Sequence, residues 1–212
     1  RMDQARPNEA HRILARWAAE GRIAGVLTQN VDGLHAEAGR AAGMPEDRLI
    51  ELHGDLARVA CLNCGATESR RDLDLRLEAA NPGYLERVAI DPDAVNPDGD
   101  VSLDQHWVDE FTMVGCRVCG SVKLKPDVVY FGESVPAARR AAAEAMADDG
   151  GTVLAVGTSL AVMSGYRFVL RAERAGHETG LINLGPTRAD AKARWRWRAP
   201  VADALAWLDA RL

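Results

Sequence analysis

The sequence predicts an α/β fold: a doubly wound, Rossmann-like parallel sheet interrupted by a small metal-binding module. Three observations carry that expectation. Short apolar runs at 23–27, 153–156 and 181–184 each end in a polar or glycine-bearing loop. Stretches with helical periodicity separate them, and strands that are apolar on both faces belong to parallel sheets covered on both sides. Two Cys-x-x-Cys pairs, Cys61/Cys64 and Cys116/Cys119, sit in a segment that breaks this rhythm.

The elements follow in chain order. Pro7 precedes Ala10, Ile13, Leu14 and Trp17, which share one helical face, and Gly21 is placed to stop that helix. The run 23–27 is a buried strand that opens into Thr28-Gln29-Asn30. Ile50 and Leu52 lead to His53 and Gly54, so His53 is expected at a strand end facing the cleft. Residues 56–125 form the inserted module, leaving 1–55 and 126–212 for the α/β domain. Its acidic stretch 91–110, with Asn96-Pro97-Asp98-Gly99-Asp100, reads as a solvated surface loop. On its own, the segment 129–133 reads as one more core strand. Helices are expected over 137–147 and 164–175. Strand 153–156 ends in Gly157-Thr158-Ser159, and strand 181–184 in Gly185-Pro186. Ligands of doubly wound sheets bind at these carboxyl ends.

At 212 residues the chain suffices for one sizeable domain and a small module. A hydrophobic fraction of 47% and a charged fraction of 27% are those of a soluble globular protein, and no apolar run spans a bilayer. The net charge of −5 argues against a nucleic-acid platform. All four cysteines fall in the two pairs, and each pair is followed by the glycine that a tight knuckle requires (Gly65, Gly120). Disulfides and redox thiols are the rival readings. Few cysteines and no signal-peptide pattern suggest a cytoplasmic protein, where disulfides are rare, and favour one Zn²⁺, while the abundance of Ala and Arg suggests a bacterial origin. With four thiolates, no position stays open for water, so the metal is expected to be structural.

Thr28-Gln29-Asn30-Val31-Asp32-Gly33-Leu34-His35 and Glu51-Leu52-His53-Gly54 resemble two central motifs of the sirtuins, NAD-dependent protein deacylases. The paired cysteines, the run from Lys125 to Glu133, Gly157-Thr158-Ser159-Leu160 and Ile182-Asn183-Leu184-Gly185 follow in that family's order. Pro97-Asp98-Gly99-Asp100-Val101, Ser164-Gly165-Tyr166-Arg167-Phe168 and Gly185-Pro186-Thr187-Arg188 look most like class II, the branch of the mitochondrial lipoamidase and ADP-ribosyltransferase sirtuin.

The resemblance implies roles. His53 is the general base for a ribose hydroxyl, a task suited to an imidazole that is neutral near pH 7. Gln29, Asn30, Val31, Asp32, Gly157, Thr158, Ser159, Asn183, Leu184, Gly185 and Ala199 are expected to bind NAD. The rival role for Gln29, Asn30 and Asp32 is helix capping. Val129, Tyr130, Phe131, Gly132 and Glu133 are expected to pair with an acyl-lysine protein substrate as an added strand. His35 is expected to orient its loop–helix junction, and His11, His106 and His177 to be structural. The family's Gly-Ala-Gly-x-Ser segment, which supplies the first strand and the diphosphate loop, does not appear in these residues. The chain is therefore expected to be the C-terminal three-quarters of such a protein, with unpaired strand edges, weak NAD binding and no deacylation by 1–212 alone. Protein mono-ADP-ribosyl transfer and a non-catalytic zinc-stabilised role are the alternatives.

Overall fold

The computed structural model describes residues 5–88 and 103–212. Of the sequence-predicted loop 91–110, residues 91–102 lie outside them, and Gln105–Glu110 form a short helix instead of a loop. Contacts divide the chain into two compact units, Arg1–Asp55 with Val128–Leu212, and Leu56–Asp127.

The first unit opens with α1 (Glu9–Ala19), one residue beyond its cap Asn8. Asn8 Oδ1 accepts from the His11 backbone N–H at 3.2 Å, and His11 Nδ1 accepts from the Asn8 backbone N–H at 3.3 Å. These two bonds satisfy donors that the first turn leaves without partners. Strand β1 (Val26–Thr28) runs parallel to β2 (Leu49–Glu51), with α2 (Leu34–Ala42) between them in the chain. After the second unit come α6 (Ala137–Gly150), β6 (Val153–Val156), α7 (Met163–Arg174), β7 (Thr179–Ile182), β8 (Trp195–Trp197) and α8 (Val201–Asp209). Strands β6, β7 and β8 form a second parallel sheet in that order. Among the described residues β1 pairs only with β2 and β6 only with β7, so each sheet has an edge without a ladder partner.

Successive residues of β7 show why both faces are covered. Ile182 packs with Ile13 and Trp17 of α1 and with Ala204 and Leu205 of α8. Leu181, its neighbour, packs with Ala155 of β6 and with Tyr166 and Val169 of α7. Adjacent side chains of a strand point to opposite faces, so one strand anchors both helical layers. A third cluster joins Leu52 to Ala143 of α6 and Phe168 of α7.

Two sequence expectations change here. Residues 129–133 are not a strand but a turn: the Tyr130 N–H donates to a Glu133 carboxylate oxygen, the Glu133 N–H donates to the Tyr130 carbonyl, and Gly132 has φ +89°. Strand β8 was not anticipated, because its three residues alternate tryptophan with an exposed arginine and form no apolar run.

The second unit holds most of β3 (Gly54–Cys61), which pairs antiparallel with β4 (Thr67–Ser69) and also neighbours β5 (Leu124–Val128). Three short helices accompany them: α3 (Arg70–Ala80), α4 (Tyr84–Val88) and α5 (Gln105–Glu110). Within it, Arg76 joins the Glu68 carboxylate to the Gly115 carbonyl, and Tyr84 donates to the Trp107 carbonyl at 2.6 Å. No helix among the described residues is long and apolar enough to cross a membrane.

Candidate functional site

The carboxyl ends of β1, β2, β6 and β7 carry most of the expected residues. His53 follows β2 and is half-buried. Its carbonyl accepts from the Val129 N–H at 2.9 Å, which ties His53 to the start of the expected substrate segment. Its Nε2 lies 2.8 Å from Ser164 Oγ in the first turn of α7. Burial lowers the pKa of His53, an interaction with the Gln29 backbone opposes that, and Arg139 of α6 lowers it further. The imidazole is therefore held in the neutral form that a base requires.

Gln29 donates from Nε2 to the same Ser164 Oγ at 2.9 Å. Gly165 permits that approach, since a Cβ there would lie 2.7 Å from Gln29 Oε1. The Asn30 N–H is held by Thr28 Oγ1 at 3.1 Å, so the loop leaves β1 in a fixed direction. Asp32 Oδ1 accepts from the Leu34 N–H at 3.0 Å, and Gly33, in the left-handed region, is the residue before α2. Asp32 thus shapes the turn into α2 with one carboxylate oxygen, but the cap position is Gly33 and the helix has no side-chain cap. Val31 is half-buried in the same loop.

Gly157 is corrected in part. Its N–H donates to the Ile182 carbonyl at 2.9 Å, so it extends the β6–β7 ladder and is not available to an anion. Thr158 Oγ1 accepts from the Leu160 N–H, and Ser159 Oγ from the Ala161 N–H. Both hydroxyls keep their own protons to donate. Leu160 is buried with φ +54°, an uncommon conformation for a residue with a Cβ, and it sets the sharp turn into α7. Asn183 Nδ2 donates to the Gly185 carbonyl at 3.0 Å. With Thr187, Asp190, Arg196 and Arg198, which sequence reasoning missed, Asn183 and Gly185 line a shallow hollow beside β7. Leu184 is exposed, while Ala199 packs against the α1–α8 core. Tyr130 and Phe131 project into solvent.

In the second unit the four cysteine Sγ atoms lie within 4.8 Å of one another. Cys61 and Cys119 are 3.6 Å apart, and Cys64 and Cys116 3.7 Å. Tetrahedral zinc with bonds of about 2.3 Å has sulfur–sulfur edges of about 3.8 Å, whereas a disulfide needs about 2.05 Å. The tetrad therefore fits a metal. Without one its charge is unevenly shared. The Ser121 backbone, then Asn63, hold Cys119 down to about 6, and backbone N–H groups of Cys119 and Val118 also lower Cys116. Cys64 is pushed up to about 12: a backbone bond from Ala66 works against this, but Cys119, then loss of hydration, then the Cys116 and Cys61 thiols outweigh it.

Around His53, Ser164 and Arg139 are residues that sequence reasoning did not assign. Ser164 stood inside the Ser164-Gly165-Tyr166-Arg167-Phe168 motif, whose glycine was the available signal.

A profile of the Sir2 family matches residues 1–164. The chain is 51% identical over 204 residues to "NAD-dependent protein deacetylase 1" of Corynebacterium efficiens, covering 96% of this chain and 70% of that protein. It is 44% identical over 209 residues to the Streptomyces coelicolor protein of the same description, covering 99% of this chain and 66% of that one. The chain thus spans about two thirds of the length of these relatives. Among solved structures it is similar to "Sir2-p53 peptide-NAD+", with a TM-score of 0.70 and 26% identity over 99% of this chain and 72% of that one. "Sir2 bound to acetylated peptide" is similar at a TM-score of 0.71 and the same identity and coverage.

Proposed function

Because the chain belongs to the Sir2 family, we propose that it carries the base and acyl-lysine site of an NAD-dependent protein-lysine deacylase, active on acetyl and longer acyl chains, with His53 as general base. The observation that carries this reading is the placement of His53. A half-buried imidazole whose pKa burial lowers follows β2, and its own carbonyl is bonded to Val129 at the start of an exposed segment.

When bound, NAD⁺ supplies a cationic nicotinamide–ribose bond whose cleavage makes a sugar carbon electrophilic. The residues fit such a group. Gln29, Asn30, Asp32, Ser159 and Asn183 place amides, a carboxylate and a hydroxyl at the carboxyl ends of β1, β6 and β7, the end at which such sheets bind ligands. His53 Nε2 would be the group that accepts the proton of a ribose hydroxyl, the role of a general base in acyl transfer to that oxygen. Phe131, fully exposed, and Tyr130, half exposed, offer an apolar border for an acyl-lysine side chain. The cysteine tetrad would hold one structural Zn²⁺ and takes no part in the proton transfer.

The test is mass spectrometry of products from the full-length protein with an acetylated peptide and NAD⁺. O-acetyl-ADP-ribose and nicotinamide are expected. His53→Ala should lower acyl transfer by roughly 10²–10⁴-fold, while nicotinamide exchange partly persists. Near-native turnover by His53→Ala would remove the assigned base. An ADP-ribosylated acceptor with no acyl transfer would replace deacylation by mono-ADP-ribosyl transfer.

A further inference from the structure

We propose that Ser164 is a positioning residue of the active site, whose hydroxyl fixes the tautomer of His53 and the side-chain orientation of Gln29 together. One oxygen meets both groups: Gln29 Nε2 donates to Ser164 Oγ at 2.9 Å, and His53 Nε2 lies 2.8 Å from the same atom. The direction of the second bond follows from the partners. Ser164 Oγ already accepts from Gln29 Nε2, its hydroxyl proton can point at His53, and a base at this position needs Nε2 free of the ring proton, so the tautomer that serves the reaction carries its proton on Nδ1. Nε2 is then the acceptor, and the Ser164 hydroxyl donates to it.

This arrangement has three chemical consequences. The lone pair that must take a proton is aimed before any ligand arrives, and an aimed base is worth more than a mobile one. The Gln29 amide is oriented by the same hydroxyl, so base and amide are set relative to each other. Ser164 also marks where a substrate hydroxyl must come, since both address the Nε2 lone pair. A sugar hydroxyl replaces the serine as donor to His53, and Ser164 keeps its bond from Gln29. Two neighbouring features support the assignment. The Cβ-less Gly165 leaves the Gln29 amide room to reach the serine. Leu160, with its positive φ, and the α7 N-terminal turn fix where Ser164 stands. The charged group acting on the ring is Arg139 of α6; α7 presents the serine and the β1 loop presents Gln29, both uncharged.

Only the kinetic arm of the test rests on the deacylase reading. Ser164→Ala, Ser164→Thr and Ser164→Val are made in the full-length protein. Threonine and valine have the same shape, so their difference reports the hydroxyl alone. The first arm is ¹⁵N NMR of the His53 ring in ligand-free protein. Wild type and Ser164→Thr are expected to show one neutral tautomer with Nε2 unprotonated. Ser164→Val and Ser164→Ala are expected to show a mixture of tautomers and a titration displaced upward by about half a unit to one unit, because a donor to the neutral ring has been removed. The second arm is the pH dependence of deacylation. Without the hydroxyl, kcat should fall about tenfold and its acid limb move to higher pH, with the KM for peptide little changed and threonine restoring both. Identical ring signals in Ser164→Val and Ser164→Thr would overturn the proposal, whatever the activity. Absence of deacylation in wild type would instead remove the functional reading and leave the ring measurement to decide the role of Ser164.

Discussion

His11 and His35 meet ring to ring between α1 and α2, with centroids 4.5 Å apart, and neither is needed for the proposed proton transfer. His11 also closes the α1 cap through Asn8, so one ring serves a helix start and an interhelical contact. Burial, then the neighbouring His11, lower His35 to about 4, and Asp32 opposes them only weakly. Its folded pKa lies below the ordinary 6.5, so the neutral ring contributes stability that is fully present above pH 6.5. That contribution should be lost progressively as pH falls from 6.5 toward 4. Thermal melts across this range should show a Tm decline that His35→Asn flattens; equal slopes in both proteins would assign the acid sensitivity elsewhere. At this scale the sequence was informative where residue type dictates chemistry. An imidazole after an apolar run and thiols in pairs could be recognised at once. Ser164 and the ladder bond of Gly157 could not, because both depend on which backbone or side chain arrives from a distant element.

The knuckles around Cys61–Cys64 and Cys116–Cys119 show how far an element can be read from spacing. Each places one buried and one exposed sulfur, and the four converge without a bond between them. Because such a site is assembled only in the folded unit, metal affinity appears as folding free energy. One zinc per chain is expected by metal analysis, Cys119→Ser should release it, and chelation should make residues of the second unit protease-sensitive. Protein purified without chelator and found free of zinc would contradict the assignment. Helices α1, α6 and α7 were legible in periodicity to within a few residues. Strand β8 was not, since Trp195, Arg196 and Trp197 owe their pairing to β7 and not to their own pattern. Gly180 of β7 makes that pairing possible: a Cβ there would stand 2.2 Å from Trp195 Cζ2. The segment after β5 erred in the opposite direction, apolar enough for a strand but turned by Gly132 and Glu133.

Across the molecule, stability is divided between two kinds of core. The first unit rests on β7, with Ile182 and Leu205 both fully buried between α1 and α8. Leu205→Ala should cost about 2–5 kcal/mol, as large-to-small changes in packed cores do. Denaturant unfolding followed by tryptophan fluorescence measures this, and a loss below about 1 kcal/mol would show that the α8 face repacks freely. The second unit brings together its cysteine tetrad and ion pairs such as Arg76–Glu68. The doubly wound character was legible because strands covered on both faces must be apolar on both. The separation of the sheet into two ladders was visible only as an expected unpaired edge.

The bond from the Val129 N–H to the His53 carbonyl also has a meaning in time. A ribosome delivers His53 first and Val129 only after the whole second unit has been synthesised. Until then the strand end that carries His53 lacks this partner. The nascent chain therefore passes through an interval in which the four cysteines are all available to one another while the end of β2 is still open. This bond can close only after the unit that interrupts it has been made.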